Sequence, residues 1–175
     1  MKRDYIEFQD RGIAVAYLIT FRCYGTWLHG GERGSVDRRY LNRFGTSKIV
    51  TTADKEKRRV GLLSQPPYVL GAAERGVVEE AIREVCRLRE YGLFALNVRT
   101  NHVHLATSNS DSPERMMNGF KAYATRALRT AGLVARDQRI WSRHGSTKYL
   151  WSEKEVAMAV DYVVNGQGDE LPTFE

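Results

Sequence analysis

Residues 93–107, LFALNVRTNHVHLAT, read as two short strands joined tightly at Thr100 and Asn101, a pattern that predicts a β-hairpin. Side chains alternate across a strand with a period of two. In the second strand, 102–107, His102 and His104 therefore share one face, while Val103 and Leu105 take the other. The aliphatic side belongs to a core. The imidazole side offers two nitrogen ligands to a divalent cation, and because two ligands seldom hold a metal tightly, a third has to come from elsewhere in the chain.

Working outward, residues 13–22 (IAVAYLITFR) place bulky Val15, Tyr17, Ile19 and Phe21 on one face and smaller Ala14, Ala16 and Thr20 on the other, as a central strand would. Residues 72–91 form an amphipathic helix with Val78, Ala81, Ile82, Val85 and Cys86 inward and Gly92 as its stop. Beyond the histidine strand, Ser112 and Pro113 are an N-cap and a first-turn proline. They open a helix to about residue 131 whose stripe of Met116, Phe120, Tyr123, Ala124, Ala127, Leu128 and Ala131 faces a core. Arg115, Lys121, Arg126 and Arg129 fall elsewhere around it, giving a basic face.

Residues 139–151 read as a bent strand, or a hairpin turning at Gly145 and Ser146, that mixes Arg139, Arg143 and Lys148 with Trp141, Tyr149 and Trp151. Ser152 and Glu155 carry the signature of a capping box for a last helix, buried through Val156, Ala159, Val160 and Val163 and ended by Gly166. The order is strand, helix, strand, strand, helix, strand, helix. It predicts an α+β fold: a ferredoxin-like antiparallel sheet (split βαβ) with helices on one face and an additional C-terminal helix.

The 175 residues suit one domain, 1–175, with a long basic insertion at about 24–70. The chain has 27 Lys+Arg against 21 Asp+Glu, a formal charge of +6, which favours a polyanionic partner. In the insertion, Arg38, Arg39, Arg58 and Arg59 lie among Trp27 and Tyr40, the mixture of cations and rings that a single-stranded nucleic acid groove uses. No apolar run approaches the roughly 20 residues needed to span a bilayer, so a cytoplasmic protein with no membrane partner is expected. Cys23 and Cys86 are too few for a disulfide framework and read as buried thiols. His29 reads as an ordinary loop histidine, and His144 sits in a basic turn.

The candidate nucleophile is Tyr162. At about 100° per residue it lies off the direction of Val156, Val160 and Val163, at the flank of the buried face, where a phenol can reach a site on the sheet. Tyr123 lies inside its helix's apolar stripe and reads as core. A phenol is a poor nucleophile near neutral pH because its ordinary pKa is about 10. A metal that polarises a phosphoryl group reduces that handicap. Paired histidines, a tyrosine and a cationic groove thus suit phosphoryl transfer through a covalent phosphotyrosine. No phosphate-binding loop of the Walker type is present.

The strand Asn101-His102-Val103-His104-Leu105, the stretch 141–151 (WSRHGSTKYLW), the helix end 161–168 (DYVVNGQG) and the early 24–28 (YGTWL) together resemble the single-tyrosine His-hydrophobe-His transposases. They are most similar to the REP-associated tyrosine transposase branch. The resemblance implies Mg²⁺ or Mn²⁺ at His102 and His104 and attack by Tyr162 on single-stranded DNA, leaving a 5′-phosphotyrosine and a free 3′-OH. It implies recognition of imperfect DNA hairpins by a monomer or homodimer. In that family the third ligand is commonly a Gln or Asn four residues after the tyrosine, whereas this chain has Gly166 there. Asn165 or Gln167 could substitute. Arg22, Arg38, Arg39, Arg58, Arg59, Lys121, Arg143 and Lys148 are the candidate DNA contacts. The alternative is a domesticated relative of the same fold that binds hairpin DNA or RNA without cutting it.

Overall fold

The computed structural model describes residues 13–26, 61, 63–108 and 110–166. Trp27, His29, Arg38, Arg39, Tyr40, Arg58, Arg59 and Gln167 lie outside the described residues, as does most of the expected basic insertion. The chain runs β1 (Ala16–Cys23), α1 (Ala72–Leu88), β2 (Leu93–Val98), β3 (His102–Ser108), α2 (Pro113–Thr130), β4 (Trp141–Leu150) and α3 (Glu153–Asn165). The four strands order as β2-β3-β1-β4, and every pairing is antiparallel. That order is the ferredoxin-like one expected from the sequence.

The period of two in β1 divides the molecule. Tyr17, Ile19, Phe21 and Cys23 join Val103 and Leu105 of β3 in the main core, closed by Val78, Ile82 and Val85 of α1 and Met116, Phe120 and Leu128 of α2. Ala16 and Leu18 face the other way, against Leu150, Val156 and Ala159. Among the described residues α1 and α2 pack on each other, whereas α3 touches all four strands and neither of those helices. So α3 lies alone on the opposite face, the one that carries the histidines.

The structure corrects three local expectations. α1 stops at Leu88 rather than near residue 91: Glu90 takes a left-handed φ of 56°, and the Tyr91 N–H reaches back to the Cys86 carbonyl at 2.9 Å. This is a C-terminal cap made without Gly92. Gly145 and Ser146 do not turn the chain either. β4 is one continuous strand, with Gly145 paired to Phe21 and Ser146 to Thr20.

The third correction is Lys121, expected on a DNA-facing surface. It is only 8% exposed, and its Nζ donates to the carbonyls of Ser142 at 2.9 Å and His144 at 3.3 Å. Between the pairs Phe21–Gly145 and Cys23–Trp141, β4 has three residues where β1 has only Arg22. Such a bulge leaves backbone groups outside the ladder, and the Lys121 ammonium satisfies two of them. Lys121→Met is therefore expected to lower stability by about 2 kcal/mol, the order of cost for orphaning buried carbonyls. Urea unfolding checks this, and the salt dependence of DNA binding is expected to stay as in the wild type.

Other expectations hold in whole or in part. The five residues of α1 expected inward are its buried ones. Ser112 occupies the N-cap position of α2 with Pro113 in its first turn, although the serine side chain makes no capping bond. At α3 half of the expected capping box forms: Ser152 Oγ accepts the Glu155 N–H at 3.3 Å, but the Glu155 carboxylate accepts the Trp151 N–H at 2.6 Å, one residue before the cap. Cys23 and Cys86 are buried free thiols, and burial pushes their pKa values up to about 12 and about 11. Neither is poised to ionise.

Candidate functional site

Strand register assembles the site. Arg22 pairs with His102 and Thr20 with His104 across β1 and β3, and Asn97 of β2 lies opposite His104 on the other side. These positions share the face that α3 covers. The two imidazole rings stand 4.5 Å apart between centroids.

Each ring is anchored through Nδ1. The His102 Nδ1 donates to Asn101 Oδ1 at 2.5 Å, and the His104 Nδ1 lies 2.7 Å from Thr20 Oγ1. A proton on Nδ1 puts the lone pair on Nε2, the arrangement that supporting hydrogen bonds impose on metal-binding histidines. His104 is 8% exposed. Burial first, then His102 and Arg22, push its pKa down to about 3, so it is neutral throughout the working range.

This depression has a sign and a window. An unfolded histidine protonates near 6.5, while folded His104 holds off until about 3. Below pH 6.5 the unfolded chain binds a proton that the folded chain refuses, so stability is complete above that pH and falls as pH drops through the window. For metal-free protein we expect a loss on the order of 2 kcal/mol between pH 7 and 4.5 from this group. Urea titrations at the two pH values check it, with His104→Gln expected to flatten the difference.

Tyr162 comes from the last turn of α3. Its ring meets that of His104 edge-on, with centroids 5.4 Å apart and planes at 80°, while the side chain keeps 45% exposure. Arg22 is close by: burial lowers its pKa, and the Tyr162 phenol opposes that effect. The helix end is docked by Asn97, whose Nδ2 donates to the Val163 carbonyl at 3.0 Å. Sequence reasoning missed this residue. The available signal was a single amide in the otherwise apolar LFALNV strand.

A cleft of about 430 Å³ runs from Arg22, past His104 and Tyr162, to Lys148 between α3 and the β1–β4 half of the sheet. Of the eight candidate DNA contacts, Arg22 and Lys148 are thus brought to the cleft beside His104 and Tyr162. Arg143 is exposed on the β4 bulge, away from the cleft lining. Tyr123 is half-buried against the α1–α2 core with the Arg126 guanidinium 4.3 Å from its ring centroid.

Asn165 directs its amide to Asp161 Oδ1 at 2.7 Å on the outer surface of α3. Among the described residues no group of three His, Cys, Asp or Glu could hold a metal ion. Gly166 has a geometric role instead: a Cβ there would lie 2.7 Å from the Tyr162 carbonyl oxygen and 2.8 Å from its ring Cδ2. A side chain at 166 requires the tyrosine or the helix end to shift. On the expectation that Tyr162 is the nucleophile, Gly166→Gln is therefore expected to slow its attack by about 10²-fold, the scale for a reacting group displaced by about 1 Å. The rate of covalent adduct formation on DNA checks this.

Residues 68–165 match the model of a family described as transposase, IS200 like. No curated protein matches the chain. Among solved structures, one described as the REP-associated tyrosine transposase bound to a REP hairpin is similar at 15% identity and a TM-score of 0.45. The similarity covers 86% of this chain and 66% of that one.

Proposed function

The chain belongs to the IS200-like transposase family, and from that membership we propose that it is a metal-dependent single-stranded DNA transesterase, of the REP-associated type, acting at hairpin-bearing DNA. The observation that carries the reading is the edge-on contact of Tyr162 with His104, on the one sheet face that also presents His102 and Arg22.

The donor set fits a divalent cation: two imidazoles on one face, each fixed through Nδ1, with His104 held neutral by burial. His102 and His104 would hold Mg²⁺ or Mn²⁺, with Asn165 or Gln167 as candidates for a third position. Such an ion, when bound, would supply polarisation of the phosphoryl group and stabilisation of charge in the transition state.

The chain's own groups do the rest. Tyr162 Oη attacks phosphorus, and as the Oη–P bond forms the P–O3′ bond breaks. The phenolic proton passes to solvent, and the departing 3′-oxygen takes one up. The products are a 5′-phosphotyrosine and a free 3′-OH. One phosphoester replaces another, so rejoining needs no nucleotide cofactor. Arg22, beside the phenol, balances the charge on the non-bridging oxygens. Its guanidinium cannot lose its proton in the working range.

The rival is a binder of the same fold that has lost cleavage, a reading favoured by the Asn165 amide being turned to Asp161 and by the missing side chain at Gly166. Incubation with hairpin DNA from the flanks of its own gene separates the two. A covalent adduct that requires divalent metal supports the transesterase, whereas retarded DNA without an adduct supports the binder.

A further inference from the structure

Resting on the transesterase reading, we infer that the cleft between α3 and the β1–β4 half of the sheet seats one unstacked nucleotide of the substrate strand beside the attacked phosphate, and that Met158 and Glu155 select its base. The helix supplies the first argument. Glu155, Met158, Ala159 and Tyr162 all line the cleft and recur at the i, i+3, i+4, i+7 spacing of one helical face. This face shares Ala159 with the buried stripe that ends in Val163 and otherwise flanks it. The face that presents the tyrosine therefore also presents a thioether and a carboxylate, one and two turns earlier.

Shape and polarity agree. About 430 Å³ lies at the lower end of the range for small-molecule sites, roughly 300–1,000 Å³. The size suits a single nucleotide rather than a stacked strand. Leu150 and Ala159 form a buried apolar floor with Leu18 packed against them. Met158 stands over it at 62% exposure, a large apolar side chain at the lip of an open cleft. A thioether on an aromatic face is a favourable contact, and a base lifted from its neighbours needs such a surface to replace stacking. Arg22 at the tyrosine end and Lys148 on β4 supply cations for the phosphates on either side.

Glu155 gives the cleft a preference. One of its oxygens accepts the Trp151 N–H at 2.6 Å, which fixes the carboxylate at the β4 end. A carboxylate has about four acceptor sites and no donor. It therefore favours a base that presents an amino group, cytosine foremost, and disfavours thymine.

The test uses the Tyr162→Phe protein, so that DNA stays intact, with 2-aminopurine moved position by position along the single-stranded flank of the hairpin. One position is expected to brighten severalfold on binding, because its base has left the stack. Met158→Trp, a change at an exposed residue, is expected to abolish that brightening and to lose at least fivefold of the affinity contributed by the flank. Cytosine is expected to outcompete thymine at that position by at least fivefold, with the margin narrowing in Glu155→Gln. Binding without brightening anywhere, or brightening that survives Met158→Trp, overturns the nucleotide site and leaves the transesterase reading standing. Equal competition by thymine and cytosine overturns the role of Glu155. Failure of any hairpin DNA to bind overturns the transesterase reading and the nucleotide site together.

Discussion

Tyr162→Phe is expected to reduce covalent adduct formation by at least about 10³-fold, the scale seen when an enzyme loses a covalent nucleophile, while hairpin affinity stays close to that of the wild type. The two effects separate because the phenol oxygen is the only atom removed. The phenylalanine ring can keep the edge contact with His104, and the Asn97 bond that docks the helix end goes to the Val163 carbonyl rather than to the tyrosine. A quench-flow time course of adduct formation, run beside an equilibrium binding titration, measures both. An unchanged adduct rate would move the nucleophile elsewhere. Tyr123 is poorly placed to take over, since it packs with the α1–α2 core on the side of the sheet away from the histidines.

Gly145→Val is expected to destabilise the fold by about 3 kcal/mol or more, at the upper end of the cost of overpacking a core. A Cβ at this position would collide with the Thr20 carbonyl oxygen and the Met117 sulfur and lie 3.3 Å from Phe21 Cβ. One obstacle is backbone, so the strand itself must shift. Close backbone approach is a recurrent reason for glycine inside a strand. Displacing β4 would also carry Ser146 and Lys148 away from Thr20 and Leu18, their partners across the ladder, and widen the cleft. Urea unfolding measures the loss; a cost below 1 kcal/mol would mean that β4 does not lie so close to β1 and α2.

What the sequence disclosed about this molecule follows the range of each signal. The alternation in 13–22 and 102–107 is local, and it separated His102 and His104 from Val103 and Leu105, and Thr20 from Ile19 and Phe21; that Thr20 shares the histidine face follows from the pairing of β1 with β3. Helical periodicity is local too, and it placed Tyr162 at the flank of α3, where its ring meets His104. The misreadings needed partners distant in sequence. Gly145 and Ser146 have turn chemistry, and only the neighbouring backbone of Thr20 and the Met117 side chain explain a glycine in mid-strand.

Lys121 lies off the apolar stripe of its helix. Its burial depends on carbonyls set loose by a bulge about twenty residues later, which no helical wheel contains. Asn97 and Val163 are 66 positions apart. Glu155 and Met158 gained a role only when β4 closed the other side of the cleft. Arg38, Arg39, Arg58, Arg59 and Gln167 lie outside the described residues, and their roles in DNA binding and metal ligation stand as proposals.

The most direct test of the chemistry is to find the atom that carries the DNA. Wild-type protein would be incubated with 3′-end-labelled hairpin DNA and Mn²⁺, denatured, digested with protease and nuclease, and the nucleotide-bearing peptide sequenced by mass spectrometry. The expected result is a 5′-phosphonucleotide on Tyr162, absent when the metal is chelated. Bound DNA with no modified peptide under Mg²⁺ or Mn²⁺, or a nucleotide on any other residue, would contradict the assignment of Tyr162 as the nucleophile.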